Sequence, residues 1–423
     1  MSFSEFYQRS INEPEQFWAE QARRIDWQTP FTQTLDHSNP PFARWFCEGR
    51  TNLCHNAIDR WLEKQPEALA LIAVSSETEE ERTFTFRQLH DEVNAVASML
   101  RSLGVQRGDR VLVYMPMIAE AHITLLACAR IGAIHSVVFG GFASHSVAAR
   151  IDDAKPVLIV SADAGARGGK IIPYKKLLDD AISQAQHQPR HVLLVDRGLA
   201  KMARVSGRDV DFASLRHQHI GARVPVAWLE SNETSCILYT SGTTGFPKAI
   251  LHRHRALVCS CVTEQHHHGQ TKDDVFLCIP PLYHTGAKMH WFGSLISGSK
   301  AVLLRGVKPE WILRTVTEEK CTIVWLLVPW AQDILDAIES GRVNLEHYLL
   351  DQWRLMHIGA QPVPPSLIKR WLKYFPHHKY DTNYGLSESI GPGCVHLGVD
   401  NIEKIGAIGK AGYLWQTRIL DER

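Results

Sequence analysis

The chain has 423 residues, room for two or three domains of the usual ~100–200 residues each. Its 45% hydrophobic and 22% charged composition permits a large core, and a formal net charge of +1 gives no general attraction to nucleic acid or to acidic lipid. The nine cysteines form no C-x-x-C pair, the nearest two being Cys259 and Cys261, so reduced thiols and a cytoplasmic setting are expected rather than a disulfide scaffold. Residues 1–20 hold acidic side chains and no apolar signal-peptide core. The most apolar stretch, 111–142, is broken by Glu120, His122 and Arg130, so no membrane span is expected.

The first fifty residues are rich in aromatics without strong periodicity, among them Phe3, Tyr7, Phe17, Trp18, Trp27 and Trp45. They read as a helix or two and extended chain wrapped over a larger body. From 53 to about 195, strand-like runs (68–74, 110–114, 135–139, 157–160, 191–195) alternate with helical ones (85–103, 119–131, 144–153, 174–184). Such alternation predicts parallel sheet covered by helices, an α/β fold. Two loops in this half stand out: Phe139-Gly140-Gly141-Phe142, and the basic segment Arg167-Gly168-Gly169-Lys170. Residues 207–232 are polar and read as an irregular linker. A second α/β series follows, with strands expected at 275–279, 301–304, 322–327, 355–358 and 380–383. The expected organisation is a leader (1–52), a first α/β subdomain (53–232) and a second (233–423).

The most informative stretch is Tyr239-Thr240-Ser241-Gly242-Thr243-Thr244-Gly245-Phe246-Pro247-Lys248. A buried-strand pattern, 236–239, gives way to hydroxyls, glycines and a lysine. Glycine lets an anion approach the main chain, hydroxyls and N–H groups donate to it, and Lys248 adds a charge. These are the groups that a polyphosphate needs, although the spacing differs from that of the P-loop. Downstream, Ile279-Pro280-Pro281-Leu282-Tyr283-His284-Thr285-Gly286 ends a strand with an exposed aromatic–histidine pair. Gly359-Ala360-Gln361-Pro362-Val363 offers a small-residue turn, and Asn383-Tyr384-Gly385-Leu386-Ser387-Glu388 offers an aromatic, a hydroxyl and a carboxylate close together. The 22 histidines, His252, His254, His266–His268, His284 and His290 among them, raise the question of zinc. No C-x₂₋₄-C…H-x₃₋₅-H order exists, so a structural zinc site is not expected.

These motifs resemble the adenylate-forming superfamily of AMP-forming acyl-CoA synthetases, adenylation domains and luciferases, and residues 1 to about 245 resemble a bacterial propionate–CoA ligase. The resemblance implies ATP bound by Thr240, Ser241, Gly242, Thr243, Thr244, Gly245 and Lys248. It also implies adenine against Gly359, Ala360 and Gln361 with Thr382, Asn383, Tyr384, Gly385, Leu386 and Ser387, and Mg²⁺ on Glu388. Lys248, His284 and Glu388 become the catalytic candidates, and Arg167, Gly168, Gly169 and Lys170 the coenzyme A contacts. The implied reaction joins a small-molecule carboxylic acid to coenzyme A through an acyl-adenylate. The alternatives are a non-catalytic ATP- or acyl-binding module, or an adenylating enzyme with another acyl acceptor.

Beyond Phe246 the motifs resemble ligases of larger carboxylic acids, as if two relatives met at a shared motif. Short-chain ligases of the family carry Trp where Gly385 stands, so a larger acyl pocket is expected. The sequence ends at Leu420-Asp421-Glu422-Arg423 without the family's ribose-binding aspartate motif, hinge or lysine-bearing C-terminal motif. Residues 1–423 alone are therefore expected to be impaired in the full cycle.

Overall fold

The computed structural model describes residues 2–167, 169–240, 248–397 and 404–418. Two sheets organise them. The first has seven strands in the order Asp209–Asp211, His191–Val195, Leu158–Ala162, Arg110–Tyr114, Ile134–Val137, Thr234–Thr240 and Lys248–Arg253. All its pairings are parallel except the last. The second has nine strands, with a parallel centre of Lys379–Gly385, Leu355–Gly359, Ile323–Leu327, Val275–Cys278, Lys300–Arg305 and Leu69–Ser75. Antiparallel strands close both edges: Pro392–Leu397 and Lys410–Ala411 on one side, Glu80–Thr85 on the other.

Helices cover these sheets because central strands such as Leu158–Ala162, buried along its whole length, need apolar cover on both faces. Phe86–Ser102 starts with a capping box, Thr85 accepting from Gln88 N while the Gln88 side chain accepts from Thr85 N. Its apolar stripe, Leu89, Val93, Val96 and Leu100, is fully buried. Helix Ala119–Ile131 ends on Gly132 at φ 77°, the left-handed conformation that glycine adopts without penalty.

Sheet membership does not follow chain order. The hairpin Leu69–Thr85 belongs to the sheet built from the later half, and Thr234–Arg253 belongs to the sheet built from the earlier half. Residues 207–232, expected as an irregular linker, contain the strand Asp209–Asp211 and the helix Phe212–Gln218. Asp211 caps that helix by accepting from Ser214 N, and Phe212 is buried; a side-chain cap and one apolar anchor suffice for so short an element.

The leader forms helices Phe3–Asn12 and Pro14–Gln21 and a hairpin of Gln33–Asn39 with Phe42–Cys47. Its aromatics pack into a separate cluster with Tyr413. The Tyr7 hydroxyl donates to Trp415 O at 2.8 Å, and Leu414 N donates to Ser10 Oγ at 2.9 Å. Phe6 stacks on His266, and Tyr413 on His267, so the leader also braces helix His254–His268. No helix is long and apolar enough to cross a membrane among the described residues.

Candidate active site

Thr234–Thr240 and Lys248–Arg253 pair as antiparallel neighbours, with Thr240 opposite Lys248. The hydroxyl–glycine loop is thus the connection of an edge hairpin, and its two ends meet at one point. Ser241, Gly242, Thr243, Thr244 and Gly245 lie outside the described residues. Thr240 and Lys248 line a cavity of about 1000 Å³. The same cavity is lined by His284, Gly359, Ala360 and Gln361, and by Thr382, Asn383, Tyr384, Gly385, Leu386, Ser387 and Glu388. Segments 148 residues apart in sequence, Thr240 and Glu388, therefore share one space.

The backbone is strained where it meets this space. Ala360 sits at φ 66° directly after strand Leu355–Gly359, and Ile390 sits at φ 53° directly after the Glu388 turn. A β-branched residue rarely adopts that conformation, and such strain persists where the surroundings hold it. The holding contacts are local. Leu386 N donates to Ser389 Oγ at 3.1 Å, and Ser389 Oγ donates to Gly391 O at 2.7 Å, which shapes the turn that carries Glu388. His252, on the edge hairpin, lies beside the Ser387 backbone and the Glu388 carboxylate, linking the two sheets at the cavity.

Tyr283 and His284, expected as an exposed pair, are both only half-exposed. Burial lowers the His284 pKa, which favours the neutral imidazole near pH 7. His284 is the N-cap of helix Thr285–Ser297, whose first residues Thr285 and Gly286 also line the cavity. The helix therefore turns its N–H groups and the positive end of its dipole toward this space, a setting for an anion. The Thr285 hydroxyl is buried without a partner among the described residues. Sequence reading missed this helix start because no Ser, Thr, Asp or Asn occupies its N-cap.

Gly385 is exposed and borders the cavity. A Cβ built on it lies 2.5 Å from Gly391 O, so the residue is glycine because two backbone segments meet there. Gly286 is comparable: a Cβ there would lie 2.5 Å from the edge of the Trp325 ring.

The cavity's remaining lining includes Met289, His290, Trp325 and His357, none of which carries a motif. Behind them lies a buried polar network. Trp325, His357 and Asp381 are register partners on three neighbouring strands. Asp381 accepts from His357 Nδ1 and from His268 Nε2, each at 2.8 Å, and Glu264 accepts from Asn383 Nδ2 at 2.8 Å. Burial alone would raise the Asp381 pKa, yet His268 and His357 hold it well below the carboxylate range. Glu264, His268 and His290, or His268, His357 and Asp381, stand close enough to surround a cation. Close hydrogen bonds already occupy Asp381 on both oxygens, whereas Glu264 Oε2, His268 Nδ1 and His290 Nε2 have no hydrogen-bond partner among the described residues.

Arg167 and Lys170 face each other across the short hairpin Gly165–Arg167 and Lys170–Ile172, with Gly169 in its turn at φ 77°; Gly168 lies outside the described residues. Glu77 anchors this hairpin. It accepts from Ala166 N at 2.7 Å, Arg197 at 2.7 Å and Arg305 at 2.8 Å, while Arg305 also donates to Ala166 O at 2.9 Å. The hairpin does not line the cavity.

The cavity between the two sheets gathers both ends of the hydroxyl–glycine loop, a helix N-terminus, a small-residue turn and an aromatic–hydroxyl–carboxylate turn, the segments expected of the adenylate-forming class. The comparisons agree. Residues 58–423 match the AMP-binding enzyme family, and residues 3–57 match the acetyl-coenzyme A synthetase N-terminus. The chain belongs to this family and is an acyl-CoA ligase of the acid–thiol class. It is 71% identical over 437 residues to the propionate–CoA ligase of Salmonella typhimurium (strain LT2) and 65% identical over 430 residues to that of Escherichia coli (strain K12). In both cases 100% of this chain aligns with 68% of the relative. The acetyl-coenzyme A synthetase of Streptomyces avermitilis is 41% identical over 394 residues, 87% of this chain and 59% of that protein. The solved acetoacetyl-CoA synthetase from Streptomyces lividans superimposes with a TM-score of 0.82 at 22% identity, covering 92% of this chain and 60% of that one, which supports the fold.

Proposed function

We propose that this chain activates a carboxylic acid larger than propionate with ATP and Mg²⁺ and passes the acyl group to coenzyme A. The carrying observation is the single cavity shared by Thr240, Lys248, His284, residues 359–361 and residues 382–388. In the first step a carboxylate oxygen attacks the α-phosphorus of ATP, the bond to the β-phosphate oxygen breaks, and pyrophosphate leaves. In the second, the thiol of coenzyme A loses its proton, its sulfur attacks the acyl carbon, and AMP leaves. The first step brings two anions together, so catalysis rests on charge neutralisation and in-line alignment.

Lys248 and the hydroxyls beside it would bind the phosphates. The N-terminus of Thr285–Ser297, with neutral His284, would orient the carboxylate. Residues 359–361 and Tyr384 would flank adenine. Glu388 is exposed to the cavity and offers hard oxygens, which suits magnesium, an ion that takes one or two carboxylates and fills its shell with phosphate and water. The metal would supply neutralisation of phosphate charge. Lys170, on the hairpin braced by Glu77, would meet the diphosphate of coenzyme A.

Support for a larger acid comes from the motifs beyond Phe246, which resemble those of ligases of larger carboxylic acids. Acyl-adenylate analogues from acetyl to octanoyl should bind most tightly beyond propionyl, by about tenfold or more, since each methylene contributes ~1–3 kcal/mol in a fitted pocket. Calorimetry that ranks acetyl or propionyl first would refute the size assignment. Lys248→Ala removes a charge-assisted contact of ~1.5–3 kcal/mol, so ATP should bind about ten- to a hundredfold more weakly. Equal ATP affinity in wild type and variant would remove Lys248 from the site.

A further inference from the structure

Among the described residues, the strands Gly165–Arg167 and Lys170–Ile172 pair only with each other. A two-stranded hairpin is marginal by itself in water, so other groups must hold its shape. Glu77, Arg197 and Arg305 do so through the backbone. Ala164 O accepts from Arg197 at 3.1 Å, Ala166 O accepts from Arg305 at 2.9 Å, and Ala166 N donates to Glu77 at 2.7 Å. The Glu77 carboxylate joins the two guanidiniums, taking Arg305 on Oε1 and Arg197 on Oε2. The Glu77 and Arg197 side chains are 8% and 9% exposed, so solvent screens this pair little. The trio also spans both sheets. Glu77 lies in the turn after Leu69–Ser75 and Arg305 ends Lys300–Arg305, both of the nine-stranded sheet, whereas Arg197 follows His191–Val195 of the seven-stranded one. Buried Tyr174 is the floor: a Cβ on Gly165 would lie 2.9 Å from its hydroxyl oxygen, and Gly140 of the loop 139–142 packs on the same ring.

We infer that Glu77 is a positioning residue for coenzyme A: by clamping Arg197 and Arg305 onto the hairpin backbone, it fixes where Lys170 stands. Lys170 is exposed and faces Arg167 in the hairpin register, so its place follows the strand that the clamp holds. Glu77 does not line the cavity and acts only through these partners. Burial opposes its charge, but Arg305 and Arg197 hold its pKa below the usual carboxylate value, so the clamp is ionised at neutral pH. A brace that served stability alone is made as well from apolar side chains, because burying charge costs desolvation. Here the charged groups are directed at three backbone atoms of one segment, which sets its position and register. Neutralising Glu77 leaves two guanidiniums facing each other without a counter-charge. They should part and release Ala164 and Ala166, and coenzyme A must then order the hairpin as it binds.

This inference rests on the reading that Lys170 meets coenzyme A, and one set of measurements separates the two. Affinities for coenzyme A and for ATP are measured by calorimetry on the wild type, Glu77→Gln, Lys170→Ala and the double variant. Glu77→Gln should weaken coenzyme A binding about tenfold, the loss expected when binding must order a segment that the fold no longer holds, and leave ATP affinity unchanged. The double variant should lose little more than Lys170→Ala, since two residues acting through one contact are not additive. Amide exchange over residues 164–172 should quicken in Glu77→Gln and stay at the wild-type rate in Lys170→Ala. Arg197→Met keeps the Glu77–Arg305 pair and carries the same expectation if Glu77→Gln does not fold. Wild type that does not bind coenzyme A, or Lys170→Ala that binds it undiminished, would overturn the hairpin assignment and this inference together. A loss in Lys170→Ala with none in Glu77→Gln would overturn the role of Glu77 alone. So would fully additive losses, or an equal loss of ATP affinity, which would mark Glu77 as a general support of the fold.

Discussion

Lowering the pH from 7.5 to 5.5 is expected to cost this protein a large part of its stability. Burial holds the pKa of His122 and His267 down at about 3, and that of His252 and His254 at about 4. Burial also drives His135 and His290 well below the ordinary value. The surroundings explain why. His135 faces Lys288 and His254, and His290 faces His268 and His357. In the unfolded chain each of these six rings takes up a proton below about pH 6.5, whereas in the fold it stays neutral. The unfolded state therefore gains protons as pH falls, and stability is lost through that window. Each ring contributes about 1 kcal/mol near pH 5.5, so together they approach the ~5–15 kcal/mol that usually separates folded from unfolded. His268 works the other way: it is buried, but Asp381 raises its pKa, so its contribution is fully present at low pH and lost as pH rises. Urea midpoints measured at pH 7.5, 6.5 and 5.5 should fall steeply, and His254→Leu should flatten the slope by about one proton. Midpoints unchanged over that range would show that these rings titrate freely in the fold.

Two buried charges should respond to removal with opposite signs. Asp381→Ala takes away the acceptor for both His268 Nε2 and His357 Nδ1 and leaves two imidazoles unmet in the core. Breaking a buried pair in this way costs about 3–5 kcal/mol, enough to lower the melting temperature by several degrees. Lys288 is the contrasting case. It is fully buried, its Nζ has no partner among the described residues, and burial lowers its pKa. The unfolded chain protonates this lysine below its ordinary value of 10.5, and the fold resists, so Lys288 costs stability as pH falls from there toward its folded pKa. Lys288→Met keeps the volume and removes the amine, and should stabilise by about 1–3 kcal/mol at pH 7.5. Denaturant unfolding decides both, and destabilisation by Lys288→Met would mean that the amine has a partner in solution.

Local chemistry in the sequence was enough for the elements and for the loops that punctuate them. The alternation of apolar runs and amphipathic helices gave the α/β class, because hydrophobic periodicity reports which face of each element is buried. Runs of hydroxyls, glycines and one lysine marked the loop at 240–248, and the turns at 359–361 and 383–388 were legible for the same reason: each is a short contiguous segment whose residue types state their chemistry. Tertiary structure alone decided what faces those segments. The helix start at Thr285 carries no capping residue. Trp325, His357 and Asp381 align only through strand register, and the partners His268 and His290 arrive from helices packed over that row. The close approach of Gly385 to the Gly391 backbone, six residues along the chain, was not legible either, because it depends on how the turn closes. The leader's aromatics were visible as anchors, but their seat against Tyr413 and helix His254–His268 was not, since packing between segments hundreds of residues apart is set by the fold and leaves no local periodicity.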